Sequence, residues 1–241
     1  MDIAIVISFM KENTRMTKII LFFKFTELML LMENMRENKS YLKYPIFKIV
    51  GVGGGGCSAI DYIYGRDNSN YSFIACDTDL NRLLASSVQI NLLIGIDGYG
   101  NIRDPKKAKR EAIKSKERIK KLFSDSTRVC FIIAGMGGGT GTGVSPVIAS
   151  IAKQMGIFTI GIVTTPYHFE GKRKLKNALE GVQKMSKNVD KLIIINYESI
   201  KEVLDNPNLT VREAYMTAYD LIFDKVNDVY NKIVKSGLAS S

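Results

Sequence analysis

The chain reads as an α/β protein: a Rossmann-like, doubly wound parallel sheet that ends in a long core helix. Three observations predict this. Strand-like apolar runs alternate with helix-like runs along the chain. Two oligoglycine turns each follow a strand-like run and precede a helix-like one. The alternating span, about 190 residues, is long enough to bury a sheet under helices on both faces.

The strands are expected at 46–50, 72–76, 129–134, 157–163 and 191–195, with a weaker one at 88–93. Helices are expected at 57–65, 79–85, 105–123, 145–155, 172–187 and 210–235. This divides the chain into an N-terminal extension (1–43), a nucleotide-binding domain (44–209), a long core helix (210–236) and a short tail (237–241).

The glycine turns carry the chemistry. Gly137-Gly-Gly-Thr-Gly-Thr-Gly143 contains only glycine and threonine, between the apolar run Val129–Ala134 and the helix-like Pro146–Lys153. Backbone N–H groups of such a turn close on an anion at a helix N-terminus, where the dipole also favours negative charge. Side chains would hold a phosphate away, and short threonine hydroxyls add donors. A flexible linker would not sit between a buried strand and a helix. The second turn, Gly51-Val-Gly-Gly-Gly-Gly56, follows Pro45–Val50 and precedes Cys57–Ile63. Alone it satisfies G-x-G-x-x-G, and Asp77 closes the next strand as a ribose-binding acid would, which suggests a nicotinamide cofactor. Neither turn is followed by Gly-Lys-Ser/Thr, so neither is a Walker loop.

Composition narrows the alternatives. Cys57, Cys76 and Cys130 are odd in number, with no C-x-x-C pair, which fits a reducing cytoplasm and argues against a zinc site. Cys57 beside a helix N-terminus is either a reactive thiol or loop packing. One histidine, His168, excludes most histidine-based catalysis. The net charge of +10 gathers at Arg103–Lys121 and Lys172–Lys176. Glu111 and Glu117 interrupt the first cluster and no aromatics interleave, so it reads as a solvated helix face and nucleic-acid binding is not expected. In the extension, Lys24 and Glu27 break the apolar run 19–32 below transmembrane length. Residues 18–32 are compatible with a weak membrane-lying helix, with docking, or with a start codon assigned too far upstream.

Taken together, Gly51–Ala59, Phe73–Asp79, Ala134–Gly143, Pro146–Ala149 and Gly161–Gly171 resemble, in order and spacing, the FtsZ family of bacterial cell-division GTPases related to tubulin. The resemblance runs from about Lys48 to Leu238. It implies GTP or GDP with Mg2+ as ligands and FtsZ-type subunits as partners. It places Gly54, Gly55, Gly56, Cys57 and Ser58 in a first phosphate and ribose loop, and Gly138, Gly139, Thr140, Gly141, Thr142 and Gly143 around the phosphates. It assigns Asp77 and Asp79 to the metal and γ-phosphate side, although Asp79 serves equally well as a helix cap and the family usually has asparagine at the place of Asp77. Glu170 takes the ribose contact and Lys174 replaces an arginine beside the nucleotide, keeping charge without the bidentate fork. On the long helix Tyr215 takes the position that stacks on the base, and Tyr219 stands where an aspartate reads guanine. Asp220 is one residue on, turned by about 100°. Arg103, in Asn101-Ile-Arg103, replaces small residues of the γ-phosphate loop.

The family continues beyond the long helix with an acidic loop that positions the attacking water in the next subunit. Here Gly237-Leu238 match, Ser240 falls on an asparagine, and no acid follows. The resemblance therefore implies a chain that binds GTP, associates with a complete subunit through its nucleotide face, and hydrolyses little alone. A non-functional fragment of a division GTPase and, further off, a nicotinamide-dependent oxidoreductase are the alternatives.

Overall fold

Six parallel strands form one sheet in the order β3-β2-β1-β4-β5-β6. They are β1 (Phe47–Val52), β2 (Ser72–Asp77), β3 (Ile90–Leu93), β4 (Val129–Gly135), β5 (Phe158–Thr165) and β6 (Lys191–Asn196). The helices between them are α1 (Gly53–Arg66), α2 (Leu80–Leu84), α3 (Pro105–Lys114), α4 (Lys116–Leu122), α5 (Gly139–Gln154), α6 (Lys172–Asn188), α7 (Tyr197–Val203) and α8 (Val211–Leu238). The computed structural model describes residues 47–67, 69–95, 102–203 and 210–238. The extension 1–43, including the segment 18–32, lies outside the described residues, as do Asn101 and Ser240. The sheet, α1 to α7 and α8 as far as Asp228 belong to one compact unit, Lys43–Asp228.

The sheet is doubly wound from its centre. From β1 the chain steps outward through β2 to β3, then returns to β4 and steps the other way to β6. The crevice between β1 and β4 is thus the topological switch point, at the carboxyl ends of the strands, where open α/β sheets bind ligands. Central strands covered on both faces need apolar side chains on both, and all six positions of β1 are buried. Ile49, Phe131, Ile132, Ile133, Ile160 and Ile162 are almost completely enclosed. Val50, Cys130, Ile132 and Val163 share one core with Ala108 and Ala112 of α3, Val144 and Ile148 of α5, and Ala178 and Met185 of α6.

A charge is buried at the amino end of the sheet. Lys48 points from β1 to the amino end of the sheet, 3% exposed, where its Nζ lies 2.7 Å from Asp125 Oδ2 and also donates to the Leu122 carbonyl.

The strands fall at or within two residues of the expected positions, and the helix starts differ more. α1 begins at Gly53 rather than 57, and α5 at Gly139 rather than 145. The glycine turns are therefore the first turns of the helices themselves. Pro146 lies inside α5, and the Ser145 hydroxyl bonds the Gly141 carbonyl at 2.6 Å in the turn before it. The helix expected at 105–123 breaks at Ser115, whose buried hydroxyl takes bonds from Arg118 (2.9 Å) and Gly95 N (3.3 Å). α7 was not expected.

Candidate functional site

The site grows from two helix starts that no side chain caps. Each helix leaves its first four N–H groups without intrahelical partners. α2 and α3 meet this with Asp79 and Asp104, which accept from Asn81 N (3.0 Å) and Lys106 N (2.9 Å). Val52 before α1 and Gly138 before α5 provide no side-chain cap, and neither first turn holds an acid. Both ends therefore keep donors and positive dipole for an anion. They meet because they are glycine. Gly53 has φ +70°, and a Cβ there would lie 2.7 Å from the Gly141 nitrogen. A Cβ on Gly56 would collide with the Ile133 carbonyl.

Between these ends lies a cleft of about 720 Å³. Its floor is Gly54, Gly55 and Ser58 from α1 and Gly138, Gly139, Thr140 and Gly141 from the β4–α5 turn. Asp77, Asp79 and Arg103 line one side, Glu170 and Lys174 another, and Tyr215 and Tyr219 the far end. The structure thus gathers fourteen of the eighteen expected positions around one cavity.

Gly56, Cys57, Thr142 and Gly143 are not among its lining. The Cys57 thiol is turned to the Gly51 and Cys76 carbonyls at 3.7 and 3.6 Å, and burial, with the charges of Asp77 and Asp61, pushes it up to about 12. It is packing, not a reactive thiol. The Thr142 hydroxyl accepts the Gly137 N–H at 2.8 Å and so shapes the turn from inside. Gly143 lets α3 approach, since a Cβ there would meet the Pro105 carbonyl.

Arg82, Tyr197 and Thr164 line the cleft too, and the sequence reading passed over them. Thr164 and Tyr197 stand at the carboxyl ends of β5 and β6, the edge where a parallel sheet faces its ligand. Arg82 lies one helical turn beyond the Asp79 cap and crosses over Gly54.

Asp77 is the most perturbed carboxylate in the cleft. Its Oδ1 accepts from Thr78 N (2.6 Å) and Asp79 N (3.3 Å). Its buried Oδ2 has no hydrogen-bond partner, with Arg82 Nε 3.5 Å away as an ion pair only. Burial raises its pKa, against the pull of these N–H groups and Arg82. Thr78 and Thr140 join the two sides of the cleft, hydroxyl to hydroxyl, at 2.8 Å. Glu170 is already engaged: Oε1 takes the Tyr167 N–H at 2.9 Å and Oε2 pairs with Lys174.

The aromatic end is braced from behind. Tyr197 meets Tyr215 edge-on at 5.0 Å and stacks on Tyr167 at 5.3 Å. Tyr219 lies against Tyr62 at 5.7 Å, and burial raises its phenol pKa, with Ser58 and Arg82 pulling the other way. Asp220 is not part of the lining. It turns to α1, where the Tyr62 hydroxyl donates to Oδ1 at 2.6 Å and Arg66 pairs with it. The electrostatics suit a polyanion with an aromatic tail: backbone donors at one end, cations Arg82, Arg103 and Lys174 along the walls, and stacking faces at the other.

Residues 46–205 match the GTPase domain of the Tubulin/FtsZ family. A cell division protein FtsZ of Porphyromonas gingivalis is 41% identical over 196 residues, covering 80% of this chain and 42% of that protein. The mitochondrial division protein fszA of Dictyostelium discoideum is 34% identical over 204 residues, covering 83% and 39%. Among solved structures, an empty FtsZ dimer of M. jannaschii superposes with a TM-score of 0.74 at 32% identity, covering 84% of this chain and 60% of that one. The chain thus spans half or less of the length of these two curated relatives. The paired glycine turns now have one account, since both open onto one cleft, and the family match covers both: the chain belongs to the tubulin/FtsZ family and carries its GTPase domain.

Proposed function

We propose that this chain is an FtsZ-type cell-division subunit of the cytoplasm that binds GTP and GDP in the cleft between α1 and α5. The observation that carries this is the convergence of two uncapped helix N-termini on a cavity whose other end is tyrosine. The phosphates lie along Gly54, Gly55 and Gly138–Gly141, with Lys174 and Arg82 on the walls. Glu170 faces the sugar, and Tyr215 and Tyr219 face the base.

Magnesium fits the residues present. Among the described residues no cluster of three or more His, Cys, Asp or Glu side chains is arranged to hold a metal by itself. Mg2+ does not need one, since it commonly rests on one or two carboxylates plus phosphate oxygens and water. Asp77, with a buried oxygen free of hydrogen bonds, is the side chain that would share it. The ion would supply charge neutralisation on the phosphates.

Hydrolysis needs a group that orients water. The carboxylates lining the cleft have other roles: Asp79 caps α2, Glu170 holds Lys174 and the Tyr167 N–H, and Asp77 holds the Thr78 and Asp79 N–H groups through Oδ1 and would share the metal through Oδ2. Turnover therefore calls for a residue brought by another subunit, which makes association through the nucleotide face part of the function. One solved relative is itself described as an FtsZ dimer. Among the described residues no helix is long and apolar enough to cross a membrane, and any membrane contact would be indirect or through residues 18–32.

The test is calorimetric titration with GTP and GDP in the presence of Mg2+, followed by phosphate release with and without a full-length FtsZ. Binding by the chain alone, with turnover only in the mixture, is expected. Failure to bind either nucleotide would end this reading, and robust turnover by the chain alone would end its catalytic half.

A further inference from the structure

Resting on the reading that the cleft takes a nucleotide, we infer that its base end does not discriminate guanine from adenine, and that Tyr219 is the residue that removes the discrimination. The tyrosine end of the cleft decides which base is held. Guanine presents N1–H and its N2 amino group as two adjacent donors, whereas adenine presents an N1 acceptor beside an amino donor. Both share the N7 acceptor and a stacking face. Selecting guanine by its donor edge therefore takes paired acceptors, and a carboxylate is the side chain that supplies them.

The structure places its nearby carboxylates elsewhere. Asp220 is drawn to α1 by the Tyr62 hydroxyl at 2.6 Å and by Arg66, and it is absent from the cleft lining. Glu170 lines the cleft, but its oxygens take the Tyr167 N–H and Lys174. The side chain that does face the cavity is Tyr219. Its phenol has one oxygen, which cannot accept from two adjacent guanine donors, and its O–H is a donor. A donor opposite the guanine N1 and N2 groups meets donors. Directed at N7 it serves both purines alike. Stacking on Tyr215 is likewise indifferent to the exocyclic groups. Sites without a matched polar contact separate similar ligands weakly, whereas sites built around one reject the wrong ligand by about 10⁴ or more.

The experiment is equilibrium dialysis of the full chain against labelled GTP and ATP at saturating Mg2+. GTP and ATP are expected to bind with dissociation constants within about tenfold of each other. Tyr219→Asp, which restores paired acceptors, is expected to move the ratio toward GTP by about tenfold or more. A preference of wild type for GTP by about a thousandfold would overturn the inference while leaving the nucleotide-binding reading intact. Binding of neither purine would overturn both. A folded Tyr219→Asp variant with an unchanged ratio would overturn the assignment to Tyr219. Circular dichroism checks that fold, and if the variant does not fold, the wild-type ratio and Tyr219→Phe, expected to stay within the same bound, decide.

Discussion

The hydroxyls of Thr78 and Thr140 lie 2.8 Å apart, one after β2 and the other in the first turn of α5. They fasten the acidic side of the cleft to the glycine turn that would hold the phosphates. Thr140→Val keeps the shape and removes this bond. A hydrogen bond of this kind contributes about 1 kcal/mol, so nucleotide affinity should fall by about fivefold while the fold is kept. Titration calorimetry beside a urea melt separates the two effects.

Gly53 sits at φ +70° with its α-hydrogen facing the Gly141 nitrogen. Gly53→Ala adds a left-handed penalty and a backbone collision. A loss of about 2 kcal/mol or more in urea unfolding is expected. A neutral result would mean that the Gly141 backbone does not close off the Cβ position of Gly53.

The raised pKa of Asp77 gives a stability effect with a definite sign. A carboxyl raised in the fold opposes folding while ionised. That penalty is present at pH above the folded value and relieved as pH falls through it. Asp77→Asn keeps an oxygen for the Thr78 and Asp79 N–H groups and removes the buried charge. It should raise the neutral-pH melting temperature of the ligand-free protein by about 2–5 °C, and it should weaken the Mg2+ dependence of nucleotide binding. Calorimetric scans at neutral and mildly acidic pH should show the gap between variant and wild type closing on acidification.

Lys48 and Asp125 behave in the opposite sense. Burial alone would raise the Asp125 pKa, but the Lys48 ammonium and the Thr127 hydroxyl outweigh it and hold the carboxyl below its usual value. Its contribution is present above the unfolded value, near pH 4, and is lost as pH falls through the folded one. Asp125→Ala leaves Lys48 buried beside the Leu122 carbonyl without its counter-charge. Because Asp125 is half exposed, a loss of about 1–3 kcal/mol is expected at neutral pH, at or below the range for fully buried pairs. The difference from wild type should shrink toward pH 3 in urea melts.

Much of the fold was legible because both glycine turns interrupt apolar runs at strand ends, and fully buried parallel strands read as continuous apolar stretches. The helix starts were misplaced because glycine's low helix propensity argues against a helix at Gly53–Gly56 and Gly139–Gly143, whereas tight packing of the two turns overrides it. Which face of a turn points to the cavity is not encoded in residue type. Thr140 lines the cleft and Thr142, two residues on, faces inward to Gly137 N. Arg82 was missed because its role comes from its guanidinium reaching over Gly54, a contact between residues far apart in the chain. The position of Asp220 was anticipated from helix rotation, but its partners Tyr62 and Arg66 come from a different helix.

The central claim is that one nucleotide is held by both helix starts at once, and hydrogen–deuterium exchange with and without GTP and Mg2+ tests it most directly. The account predicts that the amides of Gly53–Ser58 and of Gly138–Gly143 are protected together, with the same dependence on nucleotide concentration. Protection of one segment alone, or of neither while nucleotide is bound, would contradict it.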